Sequence, residues 1–382
     1  MSSLTSLLNL FSQNLPLSGL IVLFLVLLVF TLLLLLWLLR AGASPVEYRV
    51  TSVATYPVKS CGPIASASAK LVPGRGFEND RVFVVVELKA DGSADVVTQR
   101  ECRKLALVQP SISGGTLTLS MRLPGAPSAA PGGDTVSVSL TPVKGEKELS
   151  LELFRAKLDV ADAGQAAASW LARSLPTTKN YRLMRILTPR DNARDDWRWG
   201  SCYFPQDVTG AHDGSQFLVT FGESLVALNA AMPAAGDAVP MESFRPNVVL
   251  EGGAAWGEDW VMGFTFSSGL RLRTNKGCQR CVLSTVDQSR GESRKSMQPL
   301  KQLKKTRAPA DPRFNGGNSE NPHSPLFGLN CSVNSAISGE AGVVSVGDKV
   351  VGEKAGGSML TATPIERYLY KYEGGDEKKK EK

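Results

Sequence analysis

Two cysteines three residues apart, Cys278 and Cys281, enclose Gln279 and Arg280 in the stretch KGCQRCVLSTVD, residues 276–287. Three chemistries use such a pair. A structural zinc site takes four ligands, commonly with a second CxxC or a histidine pair at fixed spacing. The chain has two histidines, His212 and His323, far apart, and its other cysteines are singletons. A thioredoxin-like redox pair needs its first cysteine at a helix N-terminus. The next residues here, VLSTVD, are rich in β-branched side chains and read as a strand. Two buried structural cysteines remain the plainest reading, because most free cysteines are buried. Burial does not explain why Arg280 stands beside Cys281. An adjacent cation lowers a thiol pKa and favours the thiolate that binds soft metals.

The elements that must hold this stretch are mostly strands. Alternation picks out TLTLSMRL (116–123), with Leu117, Leu119, Met121 and Leu123 on one face. DTVSVSL (134–140) and ELSLELF (148–154) alternate in the same way, and RVFVVVEL (81–88) reads as a buried strand. PGAPSAAPGG, residues 124–133, reads as a surface loop. Helical signals are fewer. DAGQAAASWLARSLP has a possible cap at Asp162 and a stop at Pro176. GESLVALNAAMP carries Leu225 and Leu228 on one side, and MQPLKQLKKTR starts a third helix around Pro299. Short strands, few helices and many turns predict a β-rich mixed α+β fold, antiparallel sheets with helices packed on them. A domain boundary is expected near 165–180, and no internal repeat is present.

The N-terminus is of a different kind. Residues 19–39, GLIVLFLVLLVFTLLLLLWLL, are apolar apart from Thr31. About 20 such residues are what a bilayer-spanning helix requires. The run is too long for a signal peptide, and no Lys or Arg precedes it. A single-pass anchor over 19–40 is therefore expected, after a short tail at 1–18. Arg40, Arg49 and Lys59 lie beyond the span, so the large C-terminal part is expected to face the cytosol. Six cysteines are too sparse for a disulfide scaffold. Net charge is +7, with basic residues scattered except for KKTR at 304–307 and a charged flexible tail at 370–382. The excess favours acidic partners. No aromatic-interleaved basic stripe points to nucleic acid.

Residues 278–307, CQRCVLSTVDQSRGESRKSMQPLKQLKKTR, resemble the C-terminal block of MOSC-domain proteins of the mitochondrial amidoxime-reducing component family. SPLFGLNCSV (324–333) and VSVGDKVV (344–351) do so too. YPVKSCGPI (56–64), GFENDRVFVVV (76–86) and FRPNVVLEG (244–252) are similar to the family's earlier blocks, so the likeness runs along nearly all of 46–355. It implies an N-terminal MOSC β-barrel-like domain over 46–170 and a MOSC β-barrel domain with packed helices over 178–355, preceded by one transmembrane helix.

The resemblance also implies a molybdenum cofactor, Mo-molybdopterin, with Cys281 as the metal ligand. Carried over by motif, Lys59 and Ser60 of YPVKS, Arg81 of NDR, and Asp213, Gly214 and Ser215 of HDGSQF fall on cofactor-binding positions. Arg245 and Asn247 of FRPN, Arg280 beside the ligand and Asn330 do the same. Arg and Lys would grip a phosphate through charge-assisted bonds, and an ionised Asp213 would accept from the donor edge of the pterin. Two positions depart from the family pattern. Asn330 stands where an aromatic residue is common, and Gly214 where a hydroxyl residue is usual. RDDWRWGSCYFPQD, 194–207, matches poorly; its aromatic side chains near Arg198 could shape a substrate entrance or simply pack the loop.

The activity implied is reduction of small N-hydroxylated substrates: amidoximes, hydroxylamines and hydroxamic acids. Nothing in the chain resembles a haem, flavin or nicotinamide site. By resemblance the electrons come from cytochrome b5 and NADH-cytochrome b5 reductase, and the lipid bilayer implied is the mitochondrial outer membrane. A competing reading is a cofactor-binding or sulfur-carrier module like the C-terminal region of molybdenum cofactor sulfurases. The anchor and the absence of a pyridoxal-phosphate aminotransferase-like domain weigh against it.

Overall fold

The computed structural model describes residues 19, 21–31, 46–72, 75–125, 131–153, 156–191, 207–308, 324–334 and 342–354. Residues 21–31 are helical, with exposed apolar side chains from Ile21 to Phe30. Eleven residues at 1.5 Å each reach about 16 Å, roughly half of a hydrocarbon core. Among the described residues no helix is long and apolar enough to cross a membrane. The expected span over 19–39 is thus not shown. Its second half lies outside the described residues, as do the tails at 1–18 and 370–382 and the tract 194–206.

The described residues from Val46 onward form one compact unit. Its largest sheet draws strands from both ends of the chain. Val46–Thr55 pairs antiparallel with Lys349–Lys354 on one side and with Val248–Glu251 on the other. These pairings close a sheet that runs through Phe217–Phe221, Leu326–Val333, Arg271–Gln279 and Val261–Phe266. Ile64–Ser66 hangs on the first strand. One pair is parallel, Phe217–Phe221 with Val248–Glu251, and the helix Gly222–Ala230 lies between them in the chain. Inward-pointing apolar residues fill the barrel, among them Val50, Phe217, Val219, Phe221, Phe264 and Leu329. Each such side chain contributes about 1.5–3 kcal/mol by leaving water. Gly328, at φ +74°, lies against the Val219 backbone, where a Cβ would meet the carbonyl oxygen at 2.7 Å. Only glycine tolerates both constraints.

Eight further strands build a second core. Glu148–Leu153, Ala156–Asp162, Tyr181–Ile186, Phe83–Leu88 and Ala94–Val96 form one sheet, and Val108–Ser113, Thr116–Arg122 and Pro131–Ser139 another. The helix Gln165–Ser174 buries Trp170 and Leu171 with Phe83, Val85, Leu117 and Leu119. The antiparallel reading thus holds for nearly every pair, and the three helical stretches form, the last as Leu300–Thr306.

Three local expectations fail, each for a visible reason. Leu123 is 65% exposed and does not share a face with Leu117 and Leu119. A bulge between Ser120 and Met121 flips the alternation, so Arg122 turns inward and donates to the carbonyls of Ala106 and Gln288. The supposed loop 124–133 already pairs at Pro131, opposite Arg122. Asp162 does not cap the helix; it accepts from the Gly164 amide at 2.9 Å and pairs with Arg182.

Candidate active site

Every cofactor-binding residue expected from the sequence lines one cavity of about 400 Å³. Lys59 and Ser60 come just after the first barrel strand, and Arg81 sits on the turn before Phe83–Leu88. Asp213, Gly214 and Ser215 precede Phe217–Phe221, and Arg245 and Asn247 precede Val248–Glu251. Arg280 and Cys281 follow directly on the strand Arg271–Gln279, and Asn330 lies on its partner Leu326–Val333. Loops at strand ends are free to aim side chains while the sheets hold them rigidly.

Several of these residues have unusual backbones. Ser60, Arg81 and Arg245 have φ of 68°, 50° and 58°, the left-handed region that non-glycine residues seldom enter. Such conformations persist where surrounding contacts impose them, and they concentrate at functional sites. Here the contacts are plain. Arg81 and Arg245 each place a guanidinium within 4.5 Å of the Tyr56 ring centroid. Arg245 donates to the Cys61 carbonyl at 2.6 Å, and burial pulls its pKa down.

Asp80 holds this group in place. Its carboxylate accepts from the Tyr56 amide at 2.6 Å, from Asn247 Nδ2 and His212 Nε2 at 2.9 Å each, and from Arg81. Burial would raise its pKa, but Arg81, His212 and the Tyr56 amide together hold it down at about 2. Arg81 also donates to Asn247 Oδ1 at 2.9 Å, so the two site residues are locked through one buried anion. Burial pushes His212 down to about 4, so its neutral ring donates from Nε2 to Asp80.

Lys59 is buried, donates to the Ala211 carbonyl at 2.9 Å and pairs with Asp213. Burial lowers the lysine, with Asp213 pulling the other way. Burial would raise the Asp213 carboxyl, but Lys59, Arg100 and Arg81 hold it well below the usual carboxylate range. Its side chain is nonetheless 67% exposed, because it faces the open cavity.

Cys281 is the exposed cysteine of the described set, whereas burial pushes Cys278 up. VLSTVD forms a strand only in its last two residues, Val286–Asp287. Val282–Thr285 makes a 3-10 turn capped by Cys281, whose carbonyl accepts from the Ser284 amide and hydroxyl at 3.1 and 2.9 Å. The Thr285 hydroxyl likewise bonds the Val282 carbonyl at 2.7 Å. Local hydroxyl-to-backbone bonds thus outweigh β propensity. Arg280 donates from Nε and Nη2 to the Phe327 carbonyl at 3.0 and 2.7 Å, and from Nη1 to the Phe244 carbonyl at 3.0 Å. It fastens the cysteine loop to the barrel.

Sequence reasoning missed four lining or supporting residues: Asp80, Arg100, His212 and Lys276. Asp80 and His212 stand inside the motifs NDR and HDGSQF and could have been read from them. Arg100 has no such signal. It comes from the second core, and its Nη2 lies 3.2 Å from the Cys281 sulfur.

A cavity of this size suits a small organic ligand. Among the described residues Asp213 is the one acidic group lining it, set among four arginines and two lysines, so the lining favours an anion. Among the described residues no three His, Cys, Asp or Glu gather as a metal cage. A metal here would take one protein sulfur and find its remaining ligands elsewhere. That donor set fits a soft metal carried on a phosphate-bearing organic cofactor.

Comparison with known proteins agrees in extent. The MOSC N-terminal beta barrel domain matches residues 47–178, and the MOSC domain matches residues 205–351. Mitochondrial amidoxime reducing component 2 of Homo sapiens is 30% identical over 305 residues, covering 77% of this chain and 80% of the relative. Mitochondrial amidoxime-reducing component 1 of Homo sapiens is 29% identical over 301 residues, covering 77% and 80%. Molybdenum cofactor sulfurase of Drosophila willistoni is 25% identical over 261 residues, 66% of this chain but 29% of the relative. With both domains matched in order and the likeness spanning most of each amidoxime-reducing relative, the chain belongs to the MOSC-domain family of mitochondrial amidoxime-reducing components.

Proposed function

We propose that this chain is a molybdenum-cofactor-dependent reductase of N-hydroxylated compounds, converting amidoximes, hydroxylamines and hydroxamic acids to the parent nitrogen compound and water. The observation that carries the reading is the exposed thiol of Cys281 at the edge of a cation-lined cavity. The names of the relatives support the reaction class. Lys59, Arg81 and Arg245 would hold the anionic end of the cofactor, Asp213 would accept from its pterin N–H groups, and Cys281 would supply the protein sulfur. A molybdenum cofactor held there would supply the two-electron redox chemistry of N–O bond reduction. Asp80 keeps Arg81 and Asn247 oriented throughout, and Arg280 keeps the cysteine loop against the barrel. The electrons come from cytochrome b5 and its NADH-dependent reductase, and the apolar run at 19–39 anchors the enzyme in the mitochondrial outer membrane with its catalytic part in the cytosol.

The likeness to a molybdenum cofactor sulfurase favours a second reading, a cofactor or sulfur carrier. One variant separates the two. Cys281→Ser should lose reduction of benzamidoxime while keeping its pterin. A Cys281→Ser protein that still reduces benzamidoxime at the wild-type rate refutes the reductase assignment, and wild-type protein without molybdenum refutes both readings.

A further inference from the structure

Among the described residues four arginines line the cavity, and three of them are committed to oxygen. Arg81 bonds Asp80 and Asn247, Arg245 bonds the Cys61 carbonyl, and Arg280 bonds two backbone carbonyls. Arg100 differs: its side-chain hydrogen bond is to sulfur, from Nη2 to Cys281 Sγ at 3.2 Å. It also arrives from the other core, so this contact joins the two halves of the fold at the exposed thiol.

The mount beneath Arg100 is rigid. Gln99 is fully buried and donates to the Ser60 carbonyl at 2.7 Å. Its amide pairs reciprocally with that of Gln288, at 3.0 and 2.9 Å, beyond the 3-10 turn that Cys281 caps. On its other side the Glu101 carboxylate closes the turn, accepting from the Thr98 amide at 2.8 Å and hydroxyl at 2.7 Å. A loose surface arginine needs none of this. Ordering a long side chain costs rotamer freedom, and a fixed base reduces that cost.

We infer that Arg100 is a positioning residue for the Cys281 sulfur, donating an N–H to it across the domain boundary and withdrawing charge from it. The assignment rests on the molybdenum reading of the site. A hydrogen bond from a cation to a ligating sulfur stabilises the electron-rich, reduced state of the centre, and so raises its potential. A charge-assisted bond of about 1.5 kcal/mol corresponds to roughly a tenfold change in a one-electron equilibrium, or about 59 mV.

The test uses full-length holoprotein as wild type, Arg100→Gln and Arg100→Lys. Pterin and molybdenum contents are measured first, then the midpoint potential of the metal by redox titration followed by electron paramagnetic resonance. Arg100→Gln should keep its pterin and shift the potential downward by about tenfold in the equilibrium, with an altered resonance spectrum. Arg100→Lys, which keeps the charge, should recover much of the shift. An unchanged potential and spectrum in Arg100→Gln overturns the assignment, as does an equal shift in both variants. Wild-type protein free of molybdenum and pterin overturns the functional reading together with this one, whereas loaded protein with an inert Arg100 overturns this one alone.

Discussion

His212 and Glu258 titrate across the same pH range with opposite effects on stability, and this can be measured. His212 is buried against Asp80, and burial pushes it from 6.5 down to about 4. Unfolded chains bind a proton there below pH 6.5 and the folded protein does not until about pH 4, so stability falls as pH drops through that window. Glu258 is 1% exposed, bonded to the Ser224 hydroxyl at 2.7 Å, and burial pushes it from 4.5 up to about 7. The unfolded chain gives up that proton near pH 4.5 and the folded protein holds it to about 7, so stability falls as pH rises. Each effect runs at ~1.4 kcal/mol per pH unit, or about 3 kcal/mol across its window. Between pH 4.5 and 6.5 the two nearly cancel. Asp80 and Asp213, both held low, act only below about pH 3.8 and stay out of the way. Chemical denaturation at pH 4.5, 5.5 and 6.5 should therefore give a nearly flat profile for wild type. His212→Gln, which keeps a donor toward Asp80, should lose about 3 kcal/mol across that range as pH rises, and Glu258→Gln should gain about as much. Parallel profiles for all three proteins would refute the reasoning.

Two more outcomes are expected at the site. Gly210→Ala places a Cβ against the Arg81 carbonyl oxygen, so the variant should lose about 1–3 kcal/mol of stability and bind less pterin, read by thermal unfolding and by fluorescence of the oxidised cofactor. Cys278→Ala removes a half-buried thiol and should keep molybdenum and reductase activity near wild-type levels; loss of the metal would make Cys278 a second ligand.

The candidate site was more legible in the chain than the fold that assembles it. Taken singly, Lys59, Arg81 and Arg245 read as ordinary surface charges; the blocks' resemblance to the family marks them with Asp213 and Cys281, and they meet in space. Barrel closure is another matter. Val46–Thr55 alternates like any strand, and nothing local says that its partners lie some 200 and 300 residues away. The same holds for the bulge at Ser120, because a one-residue offset is a property of the pair rather than of either strand. Arg100 was invisible for that reason too. Its contact with Cys281 spans 181 positions, and TQRE carries no pattern of its own.

Arg280 shows why a residue's place in a motif does not settle its use. It is the cation nearest Cys281 in sequence, yet its guanidinium is turned onto the carbonyls of Phe327 and Phe244, away from the sulfur. The cation that touches the sulfur comes from a distant turn. Backbone carbonyls satisfy a guanidinium well without cancelling its charge, so Arg280 and Arg245 stiffen the cavity and still leave it positive. Asp80 and Asp213 offset Arg81 and Lys59, and the remaining positive charge faces a single open space. Like charges gathered in a partly dry cavity repel one another, and an anionic ligand is what relieves that repulsion. Ser60, Arg81 and Arg245 hold their left-handed backbones at this same place, where functional sites concentrate such strain.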